Sequence, residues 1–252
     1  LQGEHAIELS TLNADGSPGH NQVTARHILV ATGGTPHVPH FHGREHVVTS
    51  NDIFDLPTFP QRLVVVGGGY IACEFASIFN GLGAQVTQLY RGEQILRGFD
   101  DDVRHFAAEE MRKHGVHLRV STDVRGIAKT ADGLVVTLTD DSTLPADAVL
   151  YATGRVPNVN GLGLDRVGVE QRKNGAIIVH ENYRSSVPSI YALGDVTDRV
   201  QLTPVALGEA MQLVDHLFGD GKRRINYDGI PTAVFTHPNI GTVGMTEAQA
   251  RS

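Results

Sequence analysis

The segment from Leu63 to Arg91 constrains the fold of this chain more than any other part of the sequence. It begins with the apolar run Leu63–Val66, continues with Gly67-Gly68-Gly69 and a helical stretch, and closes with a second strand-like run, Gln85–Leu89. An apolar run without polar residues is typical of a parallel strand that is covered on both faces. The segment therefore predicts a strand, a glycine turn, a helix and a parallel strand, which is the βαβ unit of a Rossmann-like α/β fold.

The glycine turn has the pattern G-x-G-x-x-A, which occurs where a βαβ unit binds the pyrophosphate of a dinucleotide. Gly67 permits the tight turn out of the strand, and Gly69 lacks the Cβ that would keep a phosphate away from the backbone. Ala72 stands where a third glycine is often found. The first N–H groups of the helix then point at the phosphates. Glycine turns of this kind also occur without a ligand, so that interpretation stays open at this point.

The residues that follow the second strand indicate which dinucleotide is bound. An NAD site usually carries a carboxylate there, to accept a hydrogen bond from the ribose 2′-hydroxyl. This chain has Tyr90 and Arg91, and then Arg97. A guanidinium group at this place would instead pair with a 2′-phosphate. The spacing therefore predicts NADP(H), unless the two arginines are only solvated surface residues or are paired with Glu93.

Composition limits the classes of function. The chain has 252 residues, 40% apolar and 19% charged, which is ordinary for a globular protein of one large or two modest domains. Its net charge of −7 argues against a nucleic-acid-binding surface, and no apolar stretch has the length of a membrane-spanning helix. A single cysteine, Cys73, excludes an intrachain disulfide. We therefore expect a reducing compartment, the cytoplasm, and neither nucleic acid nor membrane as a partner.

Both ends of the sequence suggest an internal piece of a longer protein. The first residue is Leu1, and Glu4–Leu9 already resembles a strand. The last seven residues, Thr246–Ser252, resemble the first turns of a capped helix.

Hydrophobic periodicity and turn residues predict the remaining elements. Strands are expected at 4–12, 22–30, 116–120, 124–128, 134–139, 148–152, 176–179 and 190–193, and helices at 100–115 and 204–218. In the last helix the apolar residues are Val205, Leu207, Met211, Val214 and Leu217-Phe218. Two of the strands end alike, in Ala31-Thr32-Gly33 and Ala152-Thr153-Gly154, and a third ends in Gly194-Asp195.

In this order the motifs resemble the flavoprotein disulfide reductases with two dinucleotide-binding domains, above all the glutathione reductases. The resemblance covers essentially the whole chain. It is carried by Ala31–Gly34, Gly67–Glu74, Tyr90–Asp100, Ala152–Asn158, Tyr191–Val196, Leu202–Ala206, Val234–Pro238 and Ile240–Gly244.

The resemblance implies roles for individual residues in binding NADPH. Gly67, Gly69 and Ile71 would line its phosphates and ribose, and Tyr70 would cover the nicotinamide pocket. Glu74 would lie near the carboxamide. In the same way, Arg91 and Arg97 would contact the 2′-phosphate, and Gly154 would approach the same cofactor.

For FAD the resemblance implies a second set of residues. Asp195 would bond the ribityl chain, and Thr203 would offer its backbone N–H to the flavin ring. Thr32, Gly33 and Leu202 would belong to the same site.

The family's catalytic groups have no counterpart in these 252 residues. The Cys-x-x-x-x-Cys disulfide and the acid–base His-Glu pair are absent, so no catalytic residue is expected here. Cys73 is expected to be a buried small hydrophobe, and His237 to be structural. Met211 stands where some relatives have an arginine that contacts glutathione, which weakens the substrate assignment.

We therefore expect an NADP-binding domain at 35–152 inserted in a partial FAD-binding domain, 1–34 and 153–225, with the start of an α+β dimerisation domain at 226–252. The resemblance implies an FAD-containing, NADPH-dependent, homodimeric reductase of glutathione disulfide. Trypanothione, mercuric and dihydrolipoamide-type reductases remain alternatives, although Arg91 and Arg97 disfavour the NAD-using last type. The chain alone could also be a non-catalytic NADP(H)-binding module.

Overall fold

The computed structural model describes residues 1–13 and 15–252. Contacts between Cα atoms divide them into two compact units. The first unit comprises Leu1–Thr35 and Arg155–Tyr227, and the second comprises Pro36–Gly154 and Asp228–Ser252. Residues 228–252 thus group with the second unit, whereas we expected a separate domain to start at 226. The cofactor roles of these stretches remain predictions.

The elements are numbered in chain order. The described residues form strands β1 to β15 at Ala6–Leu12, Pro18–Thr24, Ile28–Val30, Gly34–Pro36, Arg62–Val66, Gln85–Leu89, His117–Arg119, Val124–Thr130, Gly133–Leu138, Thr143–Ala146, Ala148–Tyr151, Arg155–Pro157, Ile190–Ala192, Thr232–Val234 and Ile240–Thr242. Helices α1 to α4 are Tyr70–Gly81, Asp101–Lys113, Thr203–Phe218 and Glu247–Arg251.

The second unit is built on a four-stranded parallel sheet of order β11-β5-β6-β7. Along β5, Leu63 and Val65 face a core with α1 and α2, while Val64 and Val66 face a core formed with the antiparallel strands β8, β9 and β10. All four side chains are buried, and burying each contributes about 1.5–3 kcal/mol. Because both faces of β5 are buried, polar and apolar residues do not alternate along this strand.

Helix α2 begins and ends at residues that suit a helix terminus. The carboxylate of Asp100 accepts a hydrogen bond from the N–H of Asp102, Asp101 lies in the first turn, and Arg112 and Lys113 lie in the last. These charges complement the helix dipole. The helix ends at Lys113, two residues earlier than expected, and Gly115 follows with φ +102°.

In the first unit, β3 and β13 form a parallel pair, with Ile28 opposite Ile190 and Val30 opposite Ala192. Their side chains share one core with Val169 and Val196. Strands β1 and β2 form a separate antiparallel hairpin. The Leu193 N–H donates to the Val30 carbonyl, so the residues after β3 and β13 leave the same edge of this pair.

Two predicted strands are wrong. The strand expected at 22–30 is two elements, β2 and β3, separated by residues 25–27. The strand expected at 176–179 is only an isolated bridge between Gln171 and Ile177. Ala176 and Ile177 are buried in the first unit, and Val179 is partly buried against its core, but no neighbouring strand completes a ladder. Strand β10 was not expected.

Candidate dinucleotide-binding site

The strands β5, β6 and β11 are parallel neighbours, so the segments that follow them lie at one edge of the sheet. These segments are the glycine turn, the arginine-bearing loop and the turn at Gly154. Ligands of open α/β sheets bind outside this carboxyl edge. The structure therefore brings together most of the NADP(H) residues predicted from the sequence.

The three glycines of the turn have different surroundings. Gly67 has φ +145°, and a Cβ there would lie 2.3 Å from the Ala152 carbonyl oxygen. A Cβ on Gly68 would lie 2.5 Å from the ring of Tyr90. Gly69 has an ordinary φ of −81°, and nothing lies within 4 Å of a Cβ built on it. Gly67 and Gly68 are thus needed for packing, while Gly69 leaves open space.

The open space at Gly69 lies at the N-terminus of α1. Gly69 is the N-cap residue, and among the described residues no side chain caps this end of the helix. The early N–H groups of a helix attract anions when no side chain accepts from them. An uncapped N-terminus beside a missing Cβ therefore fits the pyrophosphate of a dinucleotide.

Arg91 and Arg97 are both exposed at the same edge. Within the part of the chain that the structure describes, neither guanidinium group has a hydrogen bond or an ion pair, and Glu93 pairs with neither. Both cations are therefore available to a ligand phosphate. This agrees with the expected contacts to a 2′-phosphate, which themselves remain a prediction.

The loop that carries these arginines is fastened to the glycine turn. The ring of Tyr90 lies against Gly68 on one side, and a Cβ on Gly92 would come within 2.7 Å of it. The Leu96 N–H donates to the Gly68 carbonyl at 2.6 Å. Leu96 is wholly buried and has φ +55°, a conformation that costs about 1–2 kcal/mol in a residue with a side chain. Sequence reasoning missed these packing contacts.

The remaining residues assigned to NADPH have mixed surroundings. Tyr70 and Ile71 are half-buried and pack against the core of α1 and α2. The Glu74 carboxylate accepts a hydrogen bond from the Phe235 N–H at 3.0 Å. This bond connects α1 to the backbone directly after β14. Gly154 has φ +128° and open space at its Cβ position. Their contacts with the nicotinamide end remain predictions.

The first unit holds the residues assigned to FAD. The Thr32 hydroxyl donates to the Asn158 carbonyl at 2.7 Å, and the Asn158 N–H donates to the Gly33 carbonyl. Asp195 follows β13 and is half-exposed, and its carboxylate accepts no hydrogen bond from any residue that the structure describes. A free carboxylate at the carboxyl edge of a parallel pair fits a ligand hydroxyl.

Leu202 and Thr203 form the start of α3, and this helix packs against the Gly194-Asp195 turn. Leu202 is the N-cap residue, and no described side chain caps this terminus. A Cβ on Gly194 would lie 3.2 Å from the Cβ of Ala206. The free carboxylate of Asp195 and the uncapped N–H groups of α3 therefore belong to one region of the first unit.

A buried polar network behind this region was missed. Glu209 is 1% exposed, and its carboxylate accepts from the Gly194 N–H and from the Tyr227 hydroxyl, each at 2.6 Å. Burial and the bond to Glu209 raise the pKa of Tyr227 far above its ordinary value, so its hydroxyl stays protonated and can donate. Glu209 thereby fixes the turn that carries Asp195. A charged residue four positions after Val205 and four before Leu213 was the signal in the sequence.

The apolar residues predicted for α3 are mostly on its outer face. Leu207, Met211, Val214 and Phe218 are exposed, whereas Val205, Glu209, Gln212 and Leu213 are buried. Hydrophobicity alone therefore does not identify the buried face of this helix, which also contains Glu209 and Gln212. The exposed face borders a cavity of about 410 Å³ lined by Met211, Val214, Asp215, Phe218, Gly219, Asp220 and Arg223.

Cys73 is a buried residue of α1, as predicted. Burial raises the pKa of its thiol to about 12, and the Gln88 amide donates to Sγ at 3.4 Å. Such a thiol is neutral and inert at neutral pH. Among the described residues there is no cluster of His, Cys, Asp or Glu that could hold a metal ion, and none of the helices there is long and apolar enough to span a membrane.

Comparison with known proteins gives one family. Residues 2–210 match the model of the family described as pyridine nucleotide-disulphide oxidoreductase. The glutathione reductase of Burkholderia cepacia is 49% identical over 229 residues, which are 91% of this chain and 51% of that protein. The trypanothione reductase of Trypanosoma congolense is 41% identical over 91% of this chain and 47% of that protein. The chain thus spans about half the length of the curated relatives it matches.

A solved structure supports the same relationship. The HOCl-induced flavoprotein disulfide reductase RclA of Escherichia coli, in its Cu(II) complex, superposes with a TM-score of 0.92 at 30% identity. The match covers 100% of this chain and 56% of that one.

Proposed function

Because the chain belongs to the pyridine nucleotide-disulphide oxidoreductase family, we propose that the whole protein is an FAD-containing, NADPH-dependent disulfide reductase that acts on glutathione disulfide. The observation that carries this proposal is the pair of exposed, unpaired cations, Arg91 and Arg97. They lie at the same edge of the sheet as the glycine turn and the uncapped N-terminus of α1. Bound in this protein, NADPH and FAD together would supply the chemistry of hydride transfer and two-electron reduction of a disulfide.

The residues of the second unit hold and orient NADPH. The N–H groups at the start of α1 bind the pyrophosphate, and Gly69 lets it approach the backbone. Arg91 and Arg97 bind the 2′-phosphate through charge-assisted hydrogen bonds. A 2′-hydroxyl would leave both cations without a partner, and this difference gives the preference for NADPH over NADH.

The residues of the first unit hold FAD. Asp195 accepts hydrogen bonds from ribityl hydroxyl groups, and Glu209 keeps the turn of Asp195 in place through the Gly194 N–H. The backbone N–H groups at Thr203, at the uncapped start of α3 beside Leu202, would donate to the flavin ring. Thr32 and Gly33 complete this edge, because they follow the strand that pairs with β13.

Glutathione disulfide is the proposed substrate because the glutathione reductase of Burkholderia cepacia is more similar than the trypanothione reductase, 49% against 41% identity. Met211, 51% exposed on α3, cannot supply the charge of the arginine found there in some relatives. Trypanothione disulfide is therefore the second candidate substrate. A homodimer and a cytoplasmic location are part of the proposal for the whole protein.

The test is the oxidation of NADPH by the whole protein with each candidate substrate. We expect kcat/KM for glutathione disulfide to exceed that for trypanothione disulfide, Hg²⁺ or lipoamide by about 100-fold or more, the size of discrimination that specific polar contacts provide. NADH should support the reaction poorly. A higher kcat/KM for any of the other three substrates would contradict the proposed substrate.

For the 252 residues alone, a second candidate function is the binding of NADP(H) without catalysis. It is favoured by Cys73, the single cysteine of the sequence, whose buried thiol cannot exchange with a substrate disulfide. We expect this chain to bind NADP⁺ and to leave glutathione disulfide unreduced. Reduction of an electron-accepting dye by NADPH with added FAD would contradict a binding-only function.

A further inference from the structure

We propose that Arg104 is a positioning residue for the NADP(H) preference, because it holds the loop that presents Arg97. The inference rests on the proposed function, since it names how the 2′-phosphate contact is maintained. Arg104 lies in the first turns of α2, and its side chain is only 19% exposed. It is therefore turned away from solvent, unlike Arg91 and Arg97.

The guanidinium group of Arg104 is occupied by the backbone of the arginine-bearing loop. Its Nε donates to the Ile95 carbonyl at 2.9 Å, and Nη2 donates to the Gln94 carbonyl at 3.0 Å. Its Nη1 donates to the carboxylate of Asp101 at 2.5 Å, which compensates its charge. Arg104 thus donates to two consecutive backbone carbonyl groups of the loop and not to the ligand site proposed at the carboxyl edge of the sheet.

These two carbonyl groups precede the strained residue of the loop. Leu96 follows with φ +55°, and its N–H is fixed to the Gly68 carbonyl of the glycine turn. Arg97 is the next residue. The peptide group between Ile95 and Leu96 is therefore held at its carbonyl by Arg104 and at its N–H by Gly68, and these bonds fix where the chain enters Arg97. Without Arg104, two carbonyl groups next to the buried Ile95 and Leu96 would lose their donors.

The fork of the guanidinium group is essential to this role. Its planar donors reach two carbonyl groups and a carboxylate at once, whereas the ammonium group of lysine is a compact charge at the end of a flexible chain. Arg104→Lys should keep the positive charge and hold the loop in place only in part. Methionine should keep only the apolar packing of the stem.

The experiment compares NADP⁺ and NAD⁺ binding by calorimetry, with the whole protein and its variants. We expect Arg104→Met to weaken NADP⁺ by about ten-fold, the loss that follows when a displaced loop removes one charge-assisted contact of Arg97 with the 2′-phosphate, and to change NAD⁺ affinity by less than about two-fold. Arg104→Lys should fall between methionine and wild type. Arg112→Met, on an exposed arginine in the last turn of the same helix, is the matched control and should bind both nucleotides like wild type.

Two outcomes separate this inference from the function on which it rests. The first outcome concerns the positioning role and applies when the double variant, Arg91→Gln with Arg97→Gln, still weakens NADP⁺ binding selectively. In that case, Arg104→Met would overturn the positioning role if it weakened the binding of NADP⁺ and NAD⁺ equally, or the binding of neither. If the double variant leaves NADP⁺ binding unchanged, the NADP(H) site itself is refuted. Should Arg104→Met not fold, the same comparison with Arg104→Lys decides, since a merely structural role predicts no change in the ratio of the two affinities.

Discussion

Replacing Arg91 and Arg97 together by glutamine is expected to weaken NADPH binding by about 100-fold and to leave NADH binding nearly unchanged. Hydrogen bonds to charged groups contribute roughly 1.5–3 kcal/mol each, and 1.4 kcal/mol corresponds to a ten-fold change in affinity. Each contact of Arg91 and Arg97 is expected at the low end of this range because both side chains are exposed, where solvent screens the interaction. Calorimetric titration with the reduced or oxidised nucleotides measures both affinities.

The matched control is Arg112→Gln, which removes an exposed arginine of the same unit without changing the proposed site. It should leave both affinities as they are. An equal loss of NADPH and NADH affinity in the double variant would mean that Arg91 and Arg97 do not contact the 2′-phosphate. The NADPH preference should also decrease as salt concentration rises, because surface charges are screened.

Alanine at Gly67 is expected to destabilise the second unit by about 3–5 kcal/mol, the range of a severe steric substitution. The φ of +145° is unfavourable for alanine, and the new Cβ would lie 2.3 Å from the Ala152 carbonyl oxygen, a backbone atom that cannot move aside. Urea unfolding monitored by circular dichroism measures the loss.

Gly69→Ala is the matched substitution two residues later. Its φ is −81° and its Cβ meets nothing within 4 Å, so the free energy of unfolding should change by no more than about 1 kcal/mol, the effect of alanine at an N-cap. NADP⁺ binding should nevertheless weaken, because the methyl group occupies the approach to the α1 N-terminus. Unchanged NADP⁺ binding in a folded Gly69→Ala variant would contradict the phosphate site.

The βαβ unit could be predicted from sequence because its signals are local. The apolar run and the glycine turn each lie within one strand or one turn of the chain, and the spacing to Arg91 lies within a single βαβ unit. The structure has β5, α1 and β6 where these signals placed them. The helix near the end was predicted for the same reason, since Thr246 and Gln249 form a capping box at α4.

Elements whose existence depends on distant partners were predicted less well. Strand β10 contains Pro145, which is tolerated because β10 is at the edge of the β8–β9–β10 sheet. The expected strand at 176–179 has suitable residues but no neighbouring strand beyond one bridge. On α3, tertiary packing buries Glu209 together with Val205 and exposes Phe218, a distribution that side-chain hydrophobicity alone does not explain.

The difference between local signals and distant contacts also applies to the site. Gly67, Gly69, Arg91 and Arg97 were predicted from motif and spacing, because the dimensions of a dinucleotide fix that spacing. The other residues proposed to contact a cofactor were assigned by the resemblance to the disulfide reductases. The residues that hold them were not found. Arg104 reaches Ile95 across a loop, and Glu209 reaches the Gly194 N–H and Tyr227 across elements that have no shared periodicity.

The most direct test of the account is the titration of the unmodified protein with NADP⁺ and with NAD⁺ under identical conditions. Two charge-assisted contacts to the 2′-phosphate predict that NADP⁺ binds about 100-fold more tightly. Equal affinity for the two nucleotides, or tighter binding of NAD⁺, would contradict the assignment of Arg91 and Arg97 and with it the proposed function.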